Sequence, residues 1–70
     1  MTQNERIIRH LNEYGSITPL EALSEYGIMR LASRISDLRT RGGYDIRREM
    51  VDGRNRYGEP TRYARYTLGG

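Results

Sequence analysis

Arginine side chains dominate the chemistry that this sequence can perform. All twelve basic residues are Arg and none is Lys, against nine acidic residues. A guanidinium can bind a phosphate, or the O6 and N7 acceptors of guanine, through two parallel hydrogen bonds. Two short segments concentrate such candidates together with hydroxyl and amide groups. The first group is Arg30, Ser33, Arg34, Asp37, Thr40 and Arg41, and the second is Arg54, Asn55, Arg56, Tyr57 and Arg62.

Catalytic and metal chemistry have little support. The chain has one His and no Cys, so it offers no second ligand type to build a metal site with the His. The acidic residues are scattered, and the glycines form neither a G-x-G-x-x-G loop nor a Walker-type loop with its Lys. We therefore predict no enzyme activity, no cofactor and no metal. His10 is expected to be a half-exposed residue beside the apolar stripe of its helix.

Size and composition set the outer limits. Seventy residues make one domain, predicted to span 1–70, with a thin core and no room for a buried catalytic cleft. The absence of Cys predicts a chain without disulfides that is intracellular or at least indifferent to the redox state of its compartment. No apolar run reaches the length of a signal peptide or a membrane span, so no contact with a membrane is expected.

Three segments have the apolar spacing and end signals of helices. The first runs over about 3–14, where Thr2 and Glu5 have capping-box spacing. The second occupies 19–26, directly after Thr18, and its start combines an N-cap hydroxyl with Pro at the first helical position. The third covers about 29–41 and stops at a pair of glycines.

The helical spacing also predicts which side chains are buried. Residues three and four apart lie on one face of a helix, and that face must pack against the rest of the domain. The expected core residues are Ile7, Ile8, Leu11 and Tyr14 in the first helix, Leu20, Ala22, Leu23 and Tyr26 in the second, and Ile28, Leu31, Ala32, Ile35 and Leu38 in the third.

From residue 44 the apolar period changes to two, which predicts a β-hairpin over about 44–68. Two turns are compatible with this pattern. The first is a tight two-residue turn at 52–53. The second is a tip at 57–61, with Gly53 as a bulge in the strand before it.

The second turn is preferred because of the register it produces. It sets Met50 opposite Leu68, so that the apolar ends of both strands, including Tyr66, meet over the helices. The outer part of the hairpin, 52–62, then has almost nothing to bury and projects into solvent.

This order of elements is typical of one architecture. A short helix joined by a tight turn to a longer one is a helix-turn-helix unit, and a hairpin after it is a wing. The predicted fold class is therefore α+β, a winged helix-turn-helix with three helices followed by a C-terminal two-stranded wing.

The outer face of the third helix and the hairpin tip then form a predicted DNA-binding surface. The helix would enter the major groove, and the Arg-rich tip would lie on the minor groove or the backbone. Asp37 could accept from a cytosine amino group, or hold Arg34 and Arg41 by pairing along the helix, which we favour. Thr18 could contact a phosphate at the start of the second helix, although it is also needed as an N-cap.

Several segments resemble small phage- and prophage-associated helix-turn-helix domains. The resemblance is specific over 17–38 and looser in the wing, and the segments that carry it are 15–23, 26–27, 30–35, 38–39, 44–46, 49–51, 56–58 and 64–66. It implies a winged-helix DNA-binding fold encoded by a mobile element, with Arg30, Ser33 and Arg34 on the reading helix. Gly42 and Gly43 depart from the single glycine of that pattern.

The resulting hypothesis is a phage- or prophage-type regulator of transcription or recombination, such as an excision protein. It would bind double-stranded DNA in the host cytoplasm. The alternative is a phage-encoded module that docks on or inhibits a host protein through the same Arg and Tyr surface. The sequence shows no heptad or dimer stripe, so the oligomeric state stays open, with the first helix as one route to a dimer.

Overall fold

The computed structural model describes residues 1–69, which form three helices and three strands. In chain order they are α1 (Gln3–Tyr14), β1 (Ser16–Ile17), α2 (Pro19–Tyr26), α3 (Leu31–Thr40), β2 (Ile46–Arg54) and β3 (Pro60–Leu68). The third helix is shorter than the predicted segment 29–41, because it begins two residues later and ends one residue earlier.

Two capping boxes start α1 and α2. At α1, the Thr2 hydroxyl accepts from the Glu5 N–H at 3.1 Å, and the Glu5 carboxylate accepts from the Thr2 N–H at 3.1 Å. The bond from the Thr2 backbone lowers the pKa of the Glu5 carboxyl below its usual value. Thr18 and Glu21 repeat the arrangement at α2, with distances of 3.2 and 2.9 Å. Both helix starts agree with the sequence prediction.

The strands form one antiparallel sheet in the order β1-β3-β2. Ser16 and Ile17, expected to be a plain extended link, pair with Thr67 and Tyr66 of β3. The predicted two-stranded hairpin is present as β2 and β3, and β1 adds a third strand to its sheet. A strand of two residues is too short to show the alternation that identifies longer strands in a sequence.

The register of the hairpin also differs from the prediction. Arg54 lies opposite Pro60, and Met50 lies opposite Ala64 rather than Leu68. Met50 is consequently 47% exposed instead of lying over the helices. Shifting a strand by an even number of residues keeps every side chain on its own face, so the apolar alternation cannot distinguish these registers.

The turn is the loop 55–59, so the preferred tip at 57–61 was displaced by two residues and the two-residue alternative lies inside β2. Gly53 is not a bulge, because it pairs regularly with Thr61. A methyl group at Gly53 would lie 3.0 Å from the Tyr63 ring. The glycine therefore gives the neighbouring ring room to cover the strand.

All the elements share one core. The sheet contributes Tyr66 and Ile46, which lie on one face, and the helices pack against them. This core confirms most of the apolar positions expected from the helical spacing. Its buried members are Ile7, Leu11, Ile17, Ala22, Ile28, Leu31, Ile35, Leu38, Ile46 and Tyr66.

Some residues expected in the core are exposed. In α2, Leu20 is 73% exposed and Leu23 is also exposed, while Ala22 is buried and Tyr26 half-buried. Two stripes compete on this short helix, since 20 and 23 are as close on its surface as 22 and 26. The structure uses the second stripe. The other exposed residues are Tyr14 and Ala32, and both expectations were wrong.

The second stripe of α2 is used because of His10, which was expected to be half-exposed but is only 4% exposed. Its Nδ1 atom lies 2.7 Å from the Tyr26 hydroxyl, and its ring centroid lies 4.6 Å from that of Tyr14, with the two ring planes tilted by 44°. Burial raises the pKa of Tyr26, which keeps its hydroxyl protonated. His10 therefore joins α1 to α2.

Candidate nucleic-acid interface

α3 presents a polar face to solvent. Five of the six residues predicted there are exposed, and Asp37 is partly buried. Three consecutive turns carry these side chains, and Leu31, Ile35 and Leu38 anchor the opposite face in the core. The exposed members are Arg30, Ser33, Arg34, Thr40 and Arg41.

The N-terminus of α3 differs from those of α1 and α2. Its N-cap is Arg30, whose side chain makes no capping hydrogen bond, and the first turn contains no acidic residue. Arg30 and Arg34 lie one turn apart on the same side. A cation at this end and a like-charge pair four residues apart both lower helix stability. This end of α3 therefore carries positive charge that no ion pair within residues 1–69 balances.

The C-terminal half of α3 is satisfied internally. Asp37 Oδ1 lies 3.3 Å from Arg41 Nε, as expected, and Asp37 Oδ2 accepts from the Asn4 side chain at 3.0 Å. No ion pair joins Asp37 to Arg34 within residues 1–69. The Thr40 hydroxyl donates to the Ser36 carbonyl at 2.9 Å. Arg34 is thus left unpaired, while Arg41 is held by a carboxylate.

The Asn55 side chain organises the wing tip. Its Oδ1 atom accepts from the backbone N–H groups of Tyr57 and Glu59 at 2.9 and 3.1 Å. The Asn55 N–H donates to the Glu59 carbonyl at 3.0 Å and closes the loop. Gly58 adopts a φ of 78°, which suits glycine. Asn55, predicted as a DNA contact, is here the residue that shapes the tip.

The cations of the wing differ in how they are held. Arg54 donates to the Gly58 carbonyl at 2.8 Å, which fixes its side chain along the loop. The guanidinium of Arg56 lies 5.9 Å from the ring centroid of Tyr57, a side chain that is 76% exposed. Arg62 pairs with Asp52 at 3.2 Å. Arg56 is therefore the cation at the tip without a hydrogen-bond partner.

Replacing Asn55 by Ala tests the link between the shape of the tip and binding. It removes two acceptor contacts, and we expect DNA affinity to fall about 3- to 10-fold while the free energy of unfolding changes by less than about 1 kcal/mol. Anisotropy titrations and denaturant unfolding measure the two quantities. Asn12→Ala, at an exposed position of α1, is the control. An unchanged affinity would show that the tip needs no fixed shape.

A groove of about 760 Å³ lies between the start of α2 and the wing. Tyr63 and Arg65 line it beside Thr18 and Leu20, and of these four residues only Thr18 was predicted to contact DNA. The sequence contains a signal for Tyr63 and Arg65, because the alternation in β3 places 61, 63 and 65 on the face opposite the buried Tyr66. Arg65 also pairs with Glu49 across the strands.

Thr18 itself is committed to helix capping. Its hydroxyl accepts from the Glu21 N–H, and the Glu21 carboxylate receives the Thr18 N–H. The carboxylate also places a negative charge at this helix end. Between the starts of α2 and α3, that of α3 therefore has the more positive charge, because its first turn contains no carboxylate.

Unpaired arginines coincide with the predicted surface. Across residues 1–69, five Arg side chains have neither a carboxylate within 4.0 Å nor a hydrogen bond to the protein. Three of these five were predicted to contact DNA. The five are Arg6, Arg30, Arg34, Arg48 and Arg56.

Within residues 1–69, neither a metal-binding cluster nor a helix that could span a membrane is present. No three His, Cys, Asp or Glu side chains there lie close enough together to hold a metal ion. No helix in this range is long and apolar enough to cross a membrane.

Comparison with known proteins agrees with the architecture. A sequence profile described as a winged helix-turn-helix domain matches residues 2–70, and no curated protein matches the chain. The predicted α+β class is therefore confirmed, with β1 as the difference in strand number. Three helices, a tight turn before α3 and a projecting hairpin are the parts that such a domain requires. The chain belongs to the winged helix-turn-helix domain family.

Proposed function

We propose that this chain binds double-stranded DNA with α3 in the major groove and the wing on the adjacent minor groove or backbone. Arg30 and Arg34 lie at the start of α3, which has no side-chain cap, and neither forms an ion pair within residues 1–69. This observation carries the proposal. Family membership supports DNA as the partner, since the winged helix-turn-helix is in general a DNA-binding fold without enzymatic activity.

On α3, the roles follow from which side chains are free. Arg30 and Arg34 have all their N–H groups available for guanine edges or phosphates. Ser33 lies between them and can donate to either. Arg41 is balanced by Asp37, so its contact with a phosphate adds less net charge, as for Arg62 on the wing. The base contacts are therefore assigned to the first half of α3 and a contact to the DNA backbone to Arg41, while the Thr40 hydroxyl stays bonded to the Ser36 carbonyl.

On the wing, the main DNA contacts are assigned to Arg56 and Tyr57. Arg56 is exposed and unpaired, and the neighbouring phenol can donate to a phosphate or stack on a sugar or base. Arg54 is fixed by the Gly58 carbonyl and contributes charge beside them. Arg62, balanced by Asp52, contributes less. A narrow minor groove concentrates negative potential and favours such an Arg-bearing tip.

The biological role proposed is that of a phage- or prophage-type regulator of transcription or recombination acting in the host cytoplasm. Its support is the resemblance of segments 15–39 and 44–66 to small phage-associated helix-turn-helix domains. A single module of this size covers about 600–1,000 Å² of protein surface on DNA. Binding in stoichiometric amounts, rather than turnover, is the mechanism proposed.

A salt titration with a mixed-sequence duplex tests DNA binding directly. Arg30, Arg34, Arg54 and Arg56 are the cations not neutralised by a carboxylate on this surface, so log K should fall with log salt at a slope of about −4. Anisotropy of a labelled duplex between low and moderate salt gives the slope. A flat response, or no binding at low salt, would contradict DNA binding. A slope near −5 would indicate that Arg41 also releases its carboxylate.

The second candidate is a phage-encoded module that docks on or inhibits a host protein through the same surface. It is favoured by the exposed Tyr57 beside Arg56, since Tyr and Arg are frequent anchors of protein interfaces. The two candidates predict different competition. If DNA binds at this surface, excess duplex should release a host protein bound there. If DNA does not bind there, the complex with the host protein should stay intact.

A further inference from the structure

β2 leaves one edge of the sheet open, because the strand order is β1-β3-β2. In an antiparallel pair, backbone groups of alternate residues face the partner strand. The Gly69 N–H bonds to the Asp45 carbonyl, so the odd-numbered residues of β2 turn toward β3. The even-numbered ones turn outward, and Arg39 accordingly caps the Ile46 carbonyl from outside at 2.8 Å. Among residues 1–69, none hydrogen-bonds to the outer edge of β2 from Arg48 onward.

The side chains on this free edge follow a simple order. Arg48, Met50 and Asp52 lie on one face of the sheet at successive even positions. Arg48 is exposed without a carboxylate or hydrogen-bond partner in the described chain, and Met50 is half exposed. Within residues 1–69, Asp52 forms its ion pair with Arg62, on its β3 side. Along the edge, a cation, an apolar side chain and an anion therefore follow one another.

When a second β2 strand runs antiparallel to the first, this order of side chains is complementary to itself, because the cation of each strand lies opposite the anion of the other. We propose that a second copy of this chain adds to the open edge, β2 against β2, with the twofold axis at Met50. Arg48 then faces Asp52 of the partner subunit, and Asp52 faces the partner's Arg48. The two Met50 side chains meet on the axis, and the outward N–H and C=O groups of 48, 50 and 52 gain partners. Such a pairing is isologous and closed.

Neighbouring registers fail on charge. An axis at Arg48, Glu49 or Asp52 sets that side chain opposite itself in the second copy, which is a like-charge pair. An axis at Val51 sets Arg48 opposite Arg54 of the partner subunit. Among the axes from 48 to 52, the axis at Met50 is the one that sets Arg48 opposite a residue of opposite charge, Asp52 of the partner subunit.

The two helical bodies fit this arrangement. Antiparallel pairing about Met50 separates the two copies of Ile46 by eight residues, about 27 Å along the strands. The helices that pack over Ile46 therefore lie at opposite ends of a six-stranded sheet, and the Arg39 cap stays outside the paired segment. Loop 55–59 lies outside the segment 48–52 that pairs in the dimer. The inference needs no DNA and does not rest on the proposed function.

Sedimentation equilibrium without DNA tests the dimer. We expect the mass to rise from 8.2 kDa toward twice that value with concentration. Arg48→Asp and Asp52→Arg should each weaken association at least about tenfold, because two attractions become two repulsions. The double variant exchanges the two side chains and should recover the wild-type association. Arg47→Asp is the control, because it makes the same charge change on the opposite face and leaves association unchanged.

Amide hydrogen exchange places the interface. The N–H groups of Arg48, Met50 and Asp52 should exchange slowly at dimer concentrations and rapidly at monomer concentrations, while circular dichroism shows that each variant is folded. A chain that stays monomeric at millimolar concentration overturns the proposal. So does a dimer in which these three amides exchange fast, or a double variant that fails to recover association while folded.

Discussion

Replacing Arg30 and Arg34 together by Ala is expected to weaken DNA binding at least about 30-fold, since each such side chain contributes about 1–3 kcal/mol. The same variant should be more stable than the parent by about 0.5–1 kcal/mol. It removes a cation from the positive end of α3 and a like-charge pair one turn apart. Opposite signs for stability and binding are the signature of residues retained for function rather than folding.

The matched control is Arg6→Ala with Arg9→Ala. These side chains lie on α1, and their removal changes the net charge by the same amount. Arg9 pairs with Glu13 at 3.0 Å, so this control should not gain stability. Duplex titrations by anisotropy at fixed salt and denaturant unfolding measure both variants. An equal loss of affinity in the two double variants would mean that total charge, rather than α3, governs binding.

The capping boxes at α1 and α2 could be predicted from the sequence because their determinants are local. A Thr followed three residues later by a Glu specifies its own hydrogen bonds, whatever the rest of the chain does. The core positions Ile7, Leu11 and Ile35 were equally readable from helical spacing. Such features involve a few neighbouring residues and one element.

The failures share a different cause, namely that they depend on contacts between elements. The second stripe of α2 is used because Tyr26 meets His10, sixteen residues away. β1 is a strand only because β3 lies beside it. The register depends on Asn55, whose side chain selects a five-residue loop that apolar alternation does not specify.

For the candidate site, the sequence identified the cations but not their partners. Asp37 was assigned to both Arg34 and Arg41, and the structure pairs it with Arg41 alone. This leaves Arg34 free beside Arg30. The charge complementarity of the edge at Arg48 and Asp52 could not be predicted from the sequence either. It depends on which backbone groups of β2 face outward, and only the register shows this. Charge totals therefore say less about binding than the pattern of unpaired charges.

Ile17→Ala is expected to unfold the domain at room temperature. Ile17 has no exposed surface, lies in β1 opposite Tyr66 and belongs to the core between the helices and the sheet. Truncating a buried Ile costs about 2–5 kcal/mol, which is comparable to the roughly 3–5 kcal/mol that the core of so small a domain supplies. Loss of the helical circular dichroism signal, and of any cooperative thermal transition, would report it.

Leu20→Ala is the matched control, because it truncates an aliphatic side chain only three residues further along. With 73% of Leu20 exposed, the free energy of unfolding should change by less than about 0.5 kcal/mol. The pair of variants also decides which stripe of α2 carries the fold. If Leu20→Ala unfolds the domain while Ile17→Ala does not, the stripe of Leu20 and Leu23 faces the core. The His10–Tyr26 contact would then not set the orientation of α2.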